Sequence, residues 1–233
     1  MSPSIIKLFN LVDRLSSDNT SLDSERSIIV MCSGGIDSVA ALHYFAKKNL
    51  SNLRVNGYHF NHKIRPQNDV MMERVQALCD QLRVPLLSAS AKKQLNTEAE
   101  YREARILPLR DRRDSIIITG HHLNDCVESY LLNCLRGHQG YLPIPFYTQL
   151  KEQKNTFITH PFLLVTKEKL KNYCIKHDLM QYVEEDNTNT TVKGSRRNFL
   201  RNQIIPQLDK ENIGLEKVVK KIIEKRLLLE LLK

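Results

Sequence analysis

Tryptophan is missing, glycine and proline number only 8 each in 233 residues, and aromatic residues make up 6%. So little Gly and Pro, beside 41% hydrophobic and 26% charged residues, excludes a collagen-like, low-complexity or disordered chain and leaves a globular protein with a packed core. No apolar run approaches the roughly 20 residues of a membrane span. The start, MSPSIIKLFN, lacks the basic beginning and long apolar stretch of a signal peptide. No membrane partner is expected, and the compartment is expected to be cytoplasmic or the interior of an organelle.

The five cysteines, Cys32, Cys79, Cys126, Cys134 and Cys174, are odd in number and form no C-x-x-C pair. Neither a disulfide framework nor a zinc ribbon is indicated, and reduced, buried thiols are expected. An acidic surplus is lacking too: 35 Lys and Arg stand against 26 Asp and Glu, a net +9. Residues 1–150 hold 18 bases against 15 acids, and residues 151–233 hold 17 against 11. A basic C-terminal third favours a polyanion such as nucleic acid, although a surface that merely keeps the chain in solution fits the charge as well.

The first half alternates β-branched runs with amphipathic stretches. Strands are expected at 27–32, 55–60, 84–88 and 115–119, and helices at 37–48, 70–82, 97–113 and 122–135. That alternation predicts an α/β fold, a doubly wound and mostly parallel sheet with right-handed crossovers. After Arg136 the pattern loosens into GHQGYLPIPF. The next regular element is a helix over about 167–178 with Thr166 as its N-cap, then a helix over 196–205 halted near Pro206. An α/β core over residues 1–209 and an amphipathic helical tail over 210–233 are expected.

The most informative stretch is Ser33-Gly34-Gly35-Ile36-Asp37-Ser38, directly after a strand and directly before a helix. Two glycines let the backbone approach an anion, the first helical amides point at it, and the hydroxyls of Ser33 and Ser38 add donors. It has neither the spacing and lysine of the nucleoside-triphosphate P-loop nor the pattern G-x-G-x-x-G. A tight strand-to-helix turn stabilised by Asp37 or Ser38 is the plain structural alternative.

S-G-G-x-D-S at the opening of an α/β domain resembles the signature of the N-type ATP pyrophosphatases. The resemblance implies cleavage of ATP between its α and β phosphates, with Mg2+ neutralising the departing charge and Asp37 helping to hold the cation or its waters. Further motifs follow in the order found in tRNA(Ile)-lysidine synthetases. They are His59-Phe60-Asn61-His62-Lys63-Ile64-Arg65, Glu98-Ala99 with Arg102 and Arg105, and Gly120-His121-His122-Leu123-Asn124-Asp125 with Glu128. Leu135-Arg136-Gly137, Glu185-Asp186-Asn187-Thr188-Asn189 and Arg197-Asn198-Phe199-Leu200-Arg201 complete the set. The match runs from about residue 28 to 208. It implies that ATP adenylates the ring carbonyl oxygen of the wobble cytidine in an isoleucine tRNA with a CAU anticodon. The ε-amine of free L-lysine then displaces AMP, giving lysidine.

The residues fit that scheme. His122, Asp125 and Glu128 recur every three positions on one helix face, where a carboxylate pair could hold the lysine ammonium or take its proton; an acidic helix start is the alternative. Arg197 and Arg201, four apart, share a face and could meet the adenylate or RNA phosphate. Arg105 is expected at ATP, and Arg65 and Arg136 at RNA or adenylate. Asp37, Asp125 and Arg197 are the expected catalytic residues, His43 and His59 are expected in the core, and a homodimer is a further expectation.

Three features depart from the family. HQGYLPIPF lacks the usual Gly-rich continuation, His160 stands where an arginine precedes the Pro161 motif, and the aromatic expected near 183 is Tyr182. Many relatives continue into C-terminal tRNA-binding domains beyond the length of this chain. Another tRNA-modifying ATP pyrophosphatase, such as a thiolase, and a non-catalytic RNA-binding relative remain alternatives; the missing C-x-x-C pairs count against the first.

Overall fold

A computed structural model describes residues 26–48, 53–63, 67–92, 95, 97–138, 144–150, 156–184 and 196–231. Its elements run β1 (Arg26–Met31), α1 (Ile36–Ala46), β2 (Leu53–Asn61), α2 (Gln67–Leu82), β3 (Leu86–Ser90), α3 (Glu98–Ile106), β4 (Ser115–Ile118) and α4 (Leu123–Leu135). Then follow β5 (Tyr147–Gln149), β6 (Phe157–Thr159), α5 (Lys167–Lys176), α6 (Arg196–Phe199), α7 (Ile205–Lys210) and α8 (Leu215–Leu231).

The β-branched runs become the centre of a six-stranded sheet of order β3-β2-β1-β4-β6-β5, parallel except for β5 against β6. Alternation along each strand divides the core. Ile28, Val30, Ile116 and Ile118 pack under α1, α2 and α5, whereas Ile29, Tyr58 and Ile117 face the side of Leu109 and α3. The sheet is therefore covered on both faces, which is why its central strands read as continuous apolar runs.

Strands β5 and β6 lie in the stretch where the sequence pattern predicts only loop. They are three residues each, too short for period-2 alternation to register. The expected 97–113 helix ends at Ile106 and tightens into a 3-10 turn over Leu107–Leu109, where Pro108 cannot supply an amide. Pro206 does not halt its helix. A π turn over Leu200–Ile204 precedes it and places the proline in the first turn of α7, where a missing N–H costs little. Thr166 does cap α5, its hydroxyl accepting from the Lys169 amide at 3.3 Å.

α8 buries Val219, Ile223 and Leu227, one helical face, against Leu123, Cys126 and Val127 of α4 and against Phe146 and Leu163. The start of α4 is tied to the chain entering α5. Its Leu123 amide donates to Val165 O at 2.8 Å, and Asn124 Oδ1 accepts from the Lys167 amide at 2.9 Å.

Candidate functional site

Strand order reverses at β1: β2 and β3 lie on one side and β4 on the other. In an open α/β sheet such a switch point leaves a crevice beyond the carboxyl ends of the strands. Ser33–Ser38 leave β1 there, and Gly120–His122 leave β4. The two turns touch. A Cβ added to Gly120 would stand 3.1 Å from both Asp37 C and Ser38 N, so only glycine lets β4 end this close to the start of α1.

The turn after β1 is built to leave donors outward. Gly34 takes φ +94°, a conformation costly to any side chain, and Gly35 is the N-cap of α1 without a capping side chain. Ser38 turns out to be internal. Its hydroxyl accepts from the Ser33 amide at 3.1 Å and donates to Gly35 O at 2.9 Å, so it braces the turn rather than offering itself to an anion. Ser33, by contrast, is exposed. Outside Gly35 there is room, since a Cβ there would meet only Ser33 Oγ, at 3.7 Å. Open space, a helix N-terminus and glycine backbone suit a phosphate group.

Asp37 sits in the first turn of α1, and its Oδ1 is buried with no hydrogen-bond partner among the described residues. Its Oδ2 lies 3.4 Å from His122 Nε2, which is also 3.4 Å from Asp125 Oδ2. The Asp125 carboxylate accepts from the His122 amide at 3.0 Å, holding the start of α4. A buried imidazole thus bridges an acid on α1 and an acid on α4. An unpartnered carboxylate oxygen beside open glycine backbone at a helix start suits a hard cation bound through phosphates or water. Among the described residues no group of three or more His, Cys, Asp or Glu could hold a metal by itself.

Glu128 has a different place from the one its spacing predicts. Its carboxylate, 3% exposed, is taken up by arginines: Arg201 Nε at 2.6 Å, Arg201 NH2 at 2.9 Å and Arg197 Nε at 2.9 Å. Arg197 also donates to Ser129 Oγ at 2.9 Å. The acid raises the Arg201 pKa further, chiefly through this hydrogen bond and against the cost of burial. Arg201 NH2 comes within 3.8 Å of Asp125 Oδ1. Glu128 supports the two arginines, and Asp125 is the acid left facing the crevice.

Arg105 lies on α3, where its carbonyl accepts from the Tyr58 hydroxyl at 2.9 Å; burial lowers the pKa of His62 and of His121, the neighbour of His122, and the Arg105 charge adds to both. Arg136 is the C-cap of α4, at the other end of a helix of 13 residues and so about 20 Å along it from His122. Arg65 and the Glu185–Asn189 motif lie outside the described residues. His43 and His59 are buried as expected, and His59 Nδ1 meets Cys32 O at 2.9 Å, supporting the entry to the Ser33–Ser38 turn. Four cysteines are buried; Cys134 is exposed, against expectation.

Beside Asp125 the structure shows a cluster that motif reading does not identify. Thr119 Oγ1 is 2.7 Å from His121 Nδ1 and 2.5 Å from His160 Nδ1, with the two imidazole nitrogens 3.2 Å apart. Burial pushes His160 down to about 3, so its ring is neutral. The signal in the sequence was the departure itself, a histidine in place of arginine.

Residues 6–208 match the PP-loop domain family. Among curated relatives, a tRNA(Ile)-lysidine synthase of Haemophilus influenzae (strain PittEE) is 33% identical over 192 residues, which is 78% of this chain and 44% of the relative. A tRNA(Ile)-lysidine synthase of Nitrosomonas europaea is 31% identical over 199 residues, 82% of this chain and 43% of the relative. The chain therefore spans less than half the length of these proteins. Among solved structures, the U34-tRNA thiolase NcsA from Methanococcus maripaludis, determined with its 4Fe-4S cluster, superposes with a TM-score of 0.64 at 14% identity. That superposition covers 96% of this chain and 80% of the thiolase, and shows a shared fold.

Proposed function

The chain belongs to the PP-loop domain family, and from that premise we propose that it forms lysidine: ATP adenylates the wobble cytidine of an isoleucine tRNA with a CAU anticodon, and free L-lysine displaces AMP. The observation that carries this reading is the meeting of Asp37, His122 and Asp125 at the mouth of the phosphate turn. It brings an acid of the phosphate turn and an acid of α4 to the same imidazole nitrogen, His122 Nε2.

In this reading the amides at the start of α1 and the Ser33 hydroxyl receive the phosphates of ATP. Asp37, through its unpartnered Oδ1, would hold Mg2+ or its waters; the cation supplies charge neutralisation for the departing pyrophosphate. Asp125 receives the lysine ammonium and takes its proton as the amine attacks the activated ring carbon. The guanidinium groups of Arg197 and Arg201, oriented by Glu128, would meet the negative charge that develops on the adenylate. An anticodon loop presents unpaired bases that can leave their stack without opening a duplex, which suits a crevice of this kind. The +9 net charge suits RNA phosphates. The chain is proposed to act in the cytoplasm, with a homodimer as one form in which it could do so.

A thiolase reading is less well supported. Cys32, Cys79, Cys126 and Cys174 are buried on separate elements, and loss of hydration raises each thiol to between about 11 and about 12. Such thiols are poor thiolates and poor sulfur carriers.

The test is incubation of the protein with radiolabelled lysine, ATP, Mg2+ and unmodified isoleucine tRNA bearing CAU. Label in the tRNA is the expected result. Pyrophosphate release without lysine incorporation would point to another nucleophile, and tRNA binding without ATP turnover to a binding protein.

A further inference from the structure

The phosphate turn is held from outside by a strap that none of the motifs includes. Past the 3-10 turn Met180–Tyr182, the chain comes back to the carboxyl edge of the sheet, and the Glu184 amide donates to Gly34 O at 2.9 Å. Arg74 on α2 fastens that strap with two prongs: one guanidinium nitrogen donates to Val183 O, and the other pairs with Glu184 Oε2 at 2.9 Å. Val183 is buried in the core beneath, and Met71, one turn before Arg74, covers Gly34.

The geometry matters because of what it does to one peptide. In a trans peptide the C=O and N–H point in opposite directions, and no cis peptide occurs among the described residues. Pinning Gly34 O to the strap therefore turns the Gly35 N–H to the opposite side of the loop. Glycine on both sides of this peptide leaves no Cβ to resist a flip, so orientation must come from an outside partner. Glu184 N–H is that partner, and Arg74 keeps it in place.

We infer that Arg74 is a positioning residue for nucleotide binding, clamping Val183–Glu184 so that the strap sets the Gly34–Gly35 peptide with its N–H toward the phosphate. This rests on Ser33–Ser38 being the phosphate-binding turn. The strap also leads directly into Glu185-Asp186-Asn187-Thr188-Asn189, so Arg74 ties the chain entering that motif to the same peptide.

Calorimetric titration with ATP and Mg2+, in the absence of tRNA and lysine, tests the assignment on wild type, Arg74→Lys and Arg74→Ala, with Glu184 amide exchange followed in parallel. Loss of one oriented donor to an anion weakens binding by about tenfold, the effect expected for Arg74→Ala. Arg74→Lys keeps one prong and should fall between. The Glu184 amide should exchange faster in Arg74→Ala, and the KM for ATP should rise while that for lysine stays. A purely structural role would lower the melting temperature and leave these ratios alone. If wild type binds ATP and Arg74→Ala binds it equally well, the inference is wrong and the phosphate turn stands. If wild type binds no ATP, the phosphate turn is itself wrong and the role of Arg74 falls with it.

Discussion

Replacing Glu128 by Gln is the sharpest probe of how the site is supported. The carboxylate is 3% exposed and takes three contacts from two guanidinium groups, whose side chains are 35% and 32% exposed for Arg201 and Arg197. Removing one partner of a buried ion pair typically costs about 3–5 kcal/mol, because the remaining charge is left without compensation. Here both arginines reach water over about a third of their surface, so the loss is roughly halved, to about 2 kcal/mol. For a chain of this length that corresponds to a fall in melting temperature of about 4–8 °C.

Thermal unfolding followed by circular dichroism measures it, with Arg201→Met and the double variant completing a cycle. The double variant should lose less than the two single variants together, since each single change strands the partner that the other removes. The chemistry should suffer separately. Released from Glu128, Arg201 still has Asp125 Oδ1 3.8 Å away. Pairing there would neutralise the group proposed to receive lysine, so the KM for lysine should rise while that for ATP changes little. A melting temperature within about 1 °C of wild type, or energies that simply add, would refute this view of Glu128 as the support of both arginines.

Three further outcomes are expected. Gly34→Ala, at φ +94° with Met71 Cβ 3.3 Å from the new methyl, should destabilise by about 1–2 kcal/mol; Gly35→Ala, with only Ser33 Oγ at 3.7 Å, should melt like wild type yet bind ATP at least about tenfold more weakly in a titration. Asp37→Ala and Asp125→Asn should both keep the wild-type circular dichroism and lose lysine incorporation, but only Asp37→Ala should also abolish pyrophosphate release. His160 takes up its proton at 6.5 in the unfolded chain and at about 3 when folded, so the unfolded state binds more protons between these values and stability falls as pH drops through them. His160→Gln should flatten urea-derived stability between about pH 6 and pH 4 by about 1 kcal/mol per pH unit, leaving the similar slopes of His43 and His62 in place.

How far the sequence disclosed this depends on the length of each signal. Ile28–Met31 and Ile116–Ile118 announce themselves because strands buried on both faces are apolar without interruption, and the alternation with helices then dictates a parallel sheet. Tyr147–Gln149 and Phe157–Thr159 give no such signal, since three residues carry no period and their pairing is decided by β4 next door. Pro206 misleads for a related reason: the ring forbids an ordinary helix hydrogen bond, but a π turn upstream moves that gap to where no bond is needed. Within the site, Ser33–Ser38 and Asp125 were legible because their chemistry depends on local spacing. Arg74 was not, nor were the pairing of Thr119 with His160 and the close approach of Gly120 to Asp37, because each joins residues far apart in the chain.

The same limit explains Asp125 and Glu128, which helical spacing makes equivalent and the fold does not. One turn along α4, Glu128 lies under α6 and the π turn, where two arginines close over it; one turn back, Asp125 stands at the helix start, shared with His122. Pairing thus concentrates on the acid that supports, and thins out toward the acids at the edge. Asp37 Oδ1 is the extreme, buried without a partner among the described residues at a cost of about 1–3 kcal/mol. A fold could remove that cost with one more donor, yet it would then occupy the space beside the glycines that the proposed reaction needs for phosphate and cation. The unsatisfied oxygen and the open turn are two aspects of one arrangement, stabilised at its base so that its reacting edge can remain incomplete until a ligand arrives.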